Sequence, residues 1–195
     1  MPHAPLPPAR REGTSQSFDL SRVYFAWVAA SVALTWLIHE LAHWATGTLL
    51  GYRMYMTLNS AGLAAGEYEI AWHGLAVSSA GPVITLLQAG VVFLILRKTP
   101  IAALYPFLFV PFYMRLLAGA LNLIHLNDEG RVGQALGLGT YTIPAIVSLV
   151  LLGLVIQASR RAGLEARFQA GTTLAVMFFS SILILLDQFQ KIRLL

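Results

Sequence analysis

Five long apolar runs divide the chain, at about residues 24–50, 73–96, 101–124, 139–158 and 171–186, with shorter polar stretches between them. Crossing the hydrocarbon core of a bilayer takes about 20 helical residues, and each run supplies roughly that many. The pattern predicts an all-α polytopic membrane protein with about five transmembrane helices. Prolines 82, 106, 111 and 144 fall inside or at the edges of the runs. Such residues are tolerated in lipid where neighbouring helices or water satisfy the freed backbone groups, so kinked or broken helices are expected. Residues 51–72 read differently. Met54-Tyr55-Met56-Thr57-Leu58 alternates, and the stretch is rich in glycine and alanine. It predicts a short β-hairpin-like segment lying against the membrane after the first helix. Residues 125–138, with Asn127, Asp128, Glu129 and Arg131, predict a polar loop.

Composition agrees with lipid as the main solvent: 57% of the 195 residues are hydrophobic and 11% charged, about half the charge of an ordinary soluble domain. A single folded unit is expected, arranged as a flexible N-terminal tail (1–22), a membrane core (23–138) and two additional C-terminal helices (139–195). The tail holds four prolines with Arg10, Arg11, Ser15 and Ser17, a composition that stays solvated. The first apolar run is too long for a signal-peptide core and reads as a retained span. The net charge of +4 comes from basic residues punctuating the apolar runs, the distribution of membrane flanks, and no nucleic-acid partner is expected. Eight basic residues on the tail side against four on the other place the N-terminus in the cytoplasm by the positive-inside rule. Tyr24, Phe25, Trp27, Tyr105 and Phe107 read as interfacial aromatic belts. With no cysteine, any metal site must draw on His, Asp, Glu or water.

The first span carries His39-Glu40-Leu41-Ala42-His43. Histidines four apart on a helix project from one face, one turn above the other, so two imidazoles can share one metal ion. Glu40 lies about 100° around the helix from His39, where it can face a water without ligating. Zinc lowers the pKa of a bound water to about 7, and a carboxylate beside it serves as general base. Two histidines and a glutamate in one apolar span are costly and mark a functional site. A catalytic zinc takes three protein ligands; His73, His125, Asp128, Glu129 and Asp187 are the candidates for the third. The histidine pair lies toward the exit end of the first span, and the third span exits on the same side into 122–131. Asp128 is the expected third ligand, with Glu129 and His125 as alternatives. Asp187 ends on that side too, but reads as a solvated carboxylate near a helix end.

Three segments, in order, resemble the site-2 protease family of intramembrane zinc metalloproteases: HELAH at 39–43, Ser79-Ala80-Gly81-Pro82 opening the next helix, and Asn122 through Arg131. The last is similar to the family's Asn-x-x-Pro…Leu-Asp-Gly-Gly-Arg pattern. It departs from it at His125 for proline, Asn127 for leucine and Glu129 for glycine, and in a short spacing from Asn122 to Asp128. The resemblance covers about residues 24–135, a three-helix catalytic core. It implies that His39, His43 and Asp128 hold Zn2+, that Glu40 is catalytic, that Asn122 helps hold the substrate, and that the β-like stretch offers an edge to an unwound substrate strand. It also implies that the histidine end of the first helix faces the cytosol, the reverse of the orientation read from charge.

The expected activity is hydrolysis of peptide bonds in or near transmembrane segments of other proteins, as in regulated intramembrane proteolysis, by a multi-pass protein of the cell membrane. The alternative is a non-catalytic membrane scaffold or substrate-binding relative with the same fold. Arg115, in the third span, reads either as a counter-charge or carbonyl clamp at the site, or as one half of a buried ion pair.

Overall fold

The computed structural model describes residues 19–190 and 193–195, so the expected tail lies almost wholly outside the described residues. The chain is mostly helical. Helix α1 (Arg22–Leu49) begins where the Ser21 side chain accepts the Tyr24 N–H at 3.1 Å, satisfying one of the free donors of the first turn. A two-stranded hairpin follows, β1 (Met54–Met56) and β2 (Ala61–Leu63). Next come α2 (Ala71–Lys98), α3 (Tyr105–Leu121, entered through a 3-10 turn), the short α4 (Asp128–Ala135), α5 (Thr142–Ala162) and α6 (Ala166–Gln190). Five helices are long and apolar enough to cross a membrane: α1, α2, α3 with its entry turn, α5 and α6.

Helix α1 shows how the bundle is organised. Ser31, Thr35, His39 and His43, each four residues after the last, are buried together with Glu40, whereas Leu34, Ile38 and Leu41 are exposed. A helix in water does the opposite. Polar groups hidden inside a bundle and large apolar side chains turned outward are what a lipid surround requires. The shared core joins Val28, Val32 and Trp36 of α1 to Leu108 and Val110 of α3, Leu151 of α5 and Val176 of α6. Helix α2 packs on both α1 and α3, α5 packs on α3, and α6 packs on α1.

Several expectations are corrected in detail. Helix α2 runs unbroken through Pro82 and α3 through Pro111, while Pro106 stands in the first turn of α3, where its missing N–H costs nothing. The third span stops at Leu121, three residues early, because the chain turns over at 122–125 toward α4. Residues 128–135 of the expected loop are helical. Tyr24 and Tyr105 are core residues instead of belt residues: their hydroxyls meet Thr172 Oγ1 at 2.7 Å and Ser159 Oγ at 2.9 Å, and both rings lie against Phe168. The hydroxyl of a buried tyrosine needs such a partner.

The hairpin falls where expected, antiparallel, with Met54 opposite Leu63 and Met56 opposite Ala61. Its turn is fastened from two helices. Trp36 Nε1 donates to Asn59 Oδ1 at 2.7 Å, and Asp187 of α6 accepts from the Leu58 N–H at 2.9 Å and from Thr57 Oγ1 at 3.1 Å. Asp187 is thus a tether and not a solvated end. The outer edge of β1 is also taken, since Met56 N–H donates to the Leu195 carbonyl and Leu194 N–H to the Met56 carbonyl. Asp187→Ala is expected to leave the Leu58 amide unpaired, at a local cost of about 1 kcal/mol. Hydrogen exchange should then quicken at 57–60 with the helices unchanged; unaltered protection there would show that the tether holds nothing.

Candidate metal centre

The site forms where the C-terminal half of α1, the N-terminal half of α2 and the start of α4 converge. His39 Nε2, His43 Nε2 and Asp128 Oδ2 point at one spot: the two nitrogens are 3.1 Å apart, and the carboxylate oxygen is 3.2 Å from the first and 3.1 Å from the second. Four donors held tetrahedrally by one zinc ion at about 2.0–2.2 Å stand roughly 3.3–3.6 Å from one another. The observed triangle has nearly that size. Among the described residues this trio is a group able to hold a metal ion.

The surroundings fix which atoms face inward. His43 Nδ1 lies 2.5 Å from the Val77 carbonyl of α2; a carbonyl only accepts, so the Nδ1 proton is committed there and the neutral ring presents a bare Nε2 lone pair. Asp128 is oriented similarly. Its Oδ1 accepts from Arg131 Nη2 at 2.5 Å, and Arg131 is braced in turn by Ser78 Oγ at 3.1 Å and the Leu126 carbonyl at 3.1 Å. Oδ2 is left for the histidines. The result is a half-buried carboxylate and buried imidazole lone pairs crowded together. Such a set is repulsive without a cation or protons between its members, and this donor chemistry fits a divalent metal.

Gly81 makes the convergence possible. A Cβ there would run into His39 Cε1 and His43 Nε2, so α2 can carry its backbone against both rings only through glycine. The contact that requires the glycine is visible only in three dimensions.

Glu40 is buried yet makes no hydrogen bond among the described residues. Together with His39 and His43 it lines a cavity of about 960 Å³ that reaches past Arg115, Arg131 and the β2 residues Ala61–Leu63. The β2 strand pairs only with β1 among the described residues. The far side of β1 is covered by residues 194 and 195, and the β2 residues Ala61–Leu63 line the cavity that holds the trio.

The other candidates lie elsewhere. Glu129 is turned away from the trio into a buried ion pair with Arg115 at 2.8 Å, which is the second of the two roles expected for Arg115. His125 is exposed at the cavity rim and belongs to no metal group. His73 receives or donates a hydrogen bond with the Tyr52 hydroxyl at 2.7 Å. Asn122, expected to hold substrate, is not among the residues lining the cavity. Its Oδ1 accepts the Asn127 N–H at 2.7 Å, bracing the turn that delivers Asp128. Gly130 packs against that same amide, where a Cβ would lie 2.6 Å from Oδ1. No protein-family model, no curated protein and no solved structure matches the chain.

Proposed function

We propose that this chain is an intramembrane zinc metalloendopeptidase, a divergent member of the site-2 protease family, which cleaves peptide bonds in or near transmembrane segments of other membrane proteins. The observation that carries the reading is the convergence of His39, His43 and Asp128 on one point, with the unpartnered Glu40 carboxylate in the same cavity. On this reading it is a multi-pass protein of the cell membrane, α1–α3 form the catalytic core, and α5 and α6 buttress it.

His39, His43 and Asp128 would hold the ion, and zinc bound there supplies Lewis acidity to water and carbonyl oxygen. Glu40 accepts a proton from the attacking water as the new C–O bond forms. It then delivers that proton to the amide nitrogen as the C–N bond breaks, so atoms and charge balance over the cycle. A transmembrane helix satisfies its own backbone and shelters its carbonyls, so the substrate must unwind before attack. The β2 edge offers backbone partners to the unwound stretch, replacing the hydrogen bonds it gives up. Arg131 keeps Asp128 turned toward the histidines, and the Val77 carbonyl keeps His43 in its tautomer.

Metal removal tests the reading. Protein purified in detergent should contain about one zinc per chain and cleave a reporter membrane segment in proteoliposomes. A strong chelator should abolish cleavage and added zinc restore it. Asp128→Ala should lower metal content and activity together. Stoichiometric zinc in that variant would remove Asp128 from the ligand set, and cleavage that survives chelation would end the proposal.

A further inference from the structure

Arg115 and Glu129 join α3 to the first turn of α4 through an ion pair in which each side chain is only 3% exposed. Stability explains this pair poorly. A buried ion pair is often no better than apolar residues of similar volume, and here Arg115 Nε and Glu129 Oε2 are both buried without a hydrogen-bond partner. Its position explains more. Glu129 is next to Asp128, and both stand in the first turn of α4. Successive residues diverge by about 100° around a helix, so gripping Glu129 from α3 fixes how far α4 is rotated about its own axis. That rotation sets where Asp128 points. An eight-residue helix is too short to hold itself by its own backbone bonds, so its orientation must be imposed from outside. Arg131 and Asn122 fix the Asp128 oxygen and the entering turn, Asn127 ties the start of α4 to the Ala118 carbonyl of α3, and α4 packs on α2 and α5; the Arg115 contact is the one that holds the residue next to Asp128.

We propose that the Arg115–Glu129 pair is a positioning device: by setting the rotation of α4 it holds Asp128 against His39 and His43 and so determines the metal affinity of the site. The proposal rests on the reading of those three residues as metal ligands. Arg115 and Glu129 are positioning residues: neither belongs to the trio that would hold the metal.

The test uses the full-length protein in detergent. Zinc affinity is measured by competition with a chromophoric chelator, and thermal unfolding is followed on the same samples. The decisive variant is the double substitution R115M/E129Q, which removes both charges together and leaves none buried and unpaired. Its unfolding midpoint should be at or above that of the unaltered protein, while zinc affinity falls about 10- to 100-fold, the usual effect of losing support behind a ligand. Native zinc affinity in the folded double variant would overturn the proposal. If that variant does not fold, R115M/E129L is judged by the same two measurements. A parallel H39A/H43A variant separates the two ideas: zinc bound as tightly as before would overturn the metal-centre reading itself, whereas lost zinc there with native affinity in R115M/E129Q would overturn the role of the pair alone.

Discussion

Glu40→Gln is expected to keep its zinc and lose cleavage by about 10²–10⁴-fold, the contribution of a positioned general base. The substitution preserves side-chain shape and removes a carboxylate that is buried without a hydrogen-bond partner among the described residues. Burying an amide there costs less than burying a charge, so thermal stability should hold or rise. The three atoms that could hold a metal belong to other residues, so metal content should not change. Zinc analysis, thermal unfolding and a cleavage assay on one preparation check all three statements. Unchanged cleavage would remove Glu40 from the mechanism. Lost zinc would mean that it holds the metal instead of moving protons.

Gly81→Ala is expected to lower zinc affinity by about 100-fold or more. The direction runs against intrinsic propensity, because alanine in place of glycine inside a helix stabilises by roughly 0.5–1 kcal/mol. Any damage must therefore come from what the new methyl group meets, and it meets both imidazoles. Neither ring has easy room to retreat. His43 is held by the Val77 carbonyl of the same α2 helix that carries Gly81, so the helix that pins the ring would also push it. Relief requires either breaking that hydrogen bond or parting α1 from α2, and over-packing of this kind costs about 1–3 kcal/mol. Gly90→Ala, on the same helix, supplies the control. A Cβ there has nothing within 4 Å, and zinc affinity should be unchanged. Chelator competition on the two variants decides the matter; full affinity in Gly81→Ala would show that the rings can move aside freely.

Both predictions turn on side chains whose importance was unequally visible beforehand. The histidine pair and Glu40 were legible because an i, i+4 relation is settled by local helical geometry. Asp128 was legible at one remove, since connectivity brings the end of the third span beside the end of the first, but connectivity could not separate it from Glu129 or His125. Those three lie within five residues of one another, and a rotation of about 100° would bring Glu129 to where Asp128 points. The choice is made by α4, a helix with no apolar periodicity to announce it, held through Arg115, Arg131 and Asn122. Asp187 was misjudged for a related reason: its partners, Thr57 and Leu58, lie about 130 residues away in sequence.

Local patterning along the chain was enough for the number and approximate limits of the long apolar helices, the hairpin after the first of them, and the pairing of His39 with His43 beside Glu40. Each depends on hydrophobic periodicity, span length or helical spacing, which act over a few turns of chain. Three-dimensional packing was needed to bring Asp128 to the histidines while Arg115 takes Glu129, to require that position 81 lack a side chain, and to set β2 along the cavity. These depend on close approach between segments far apart in sequence, where ångström-scale packing and the orientation of a short helix select among residues that spacing alone leaves equivalent.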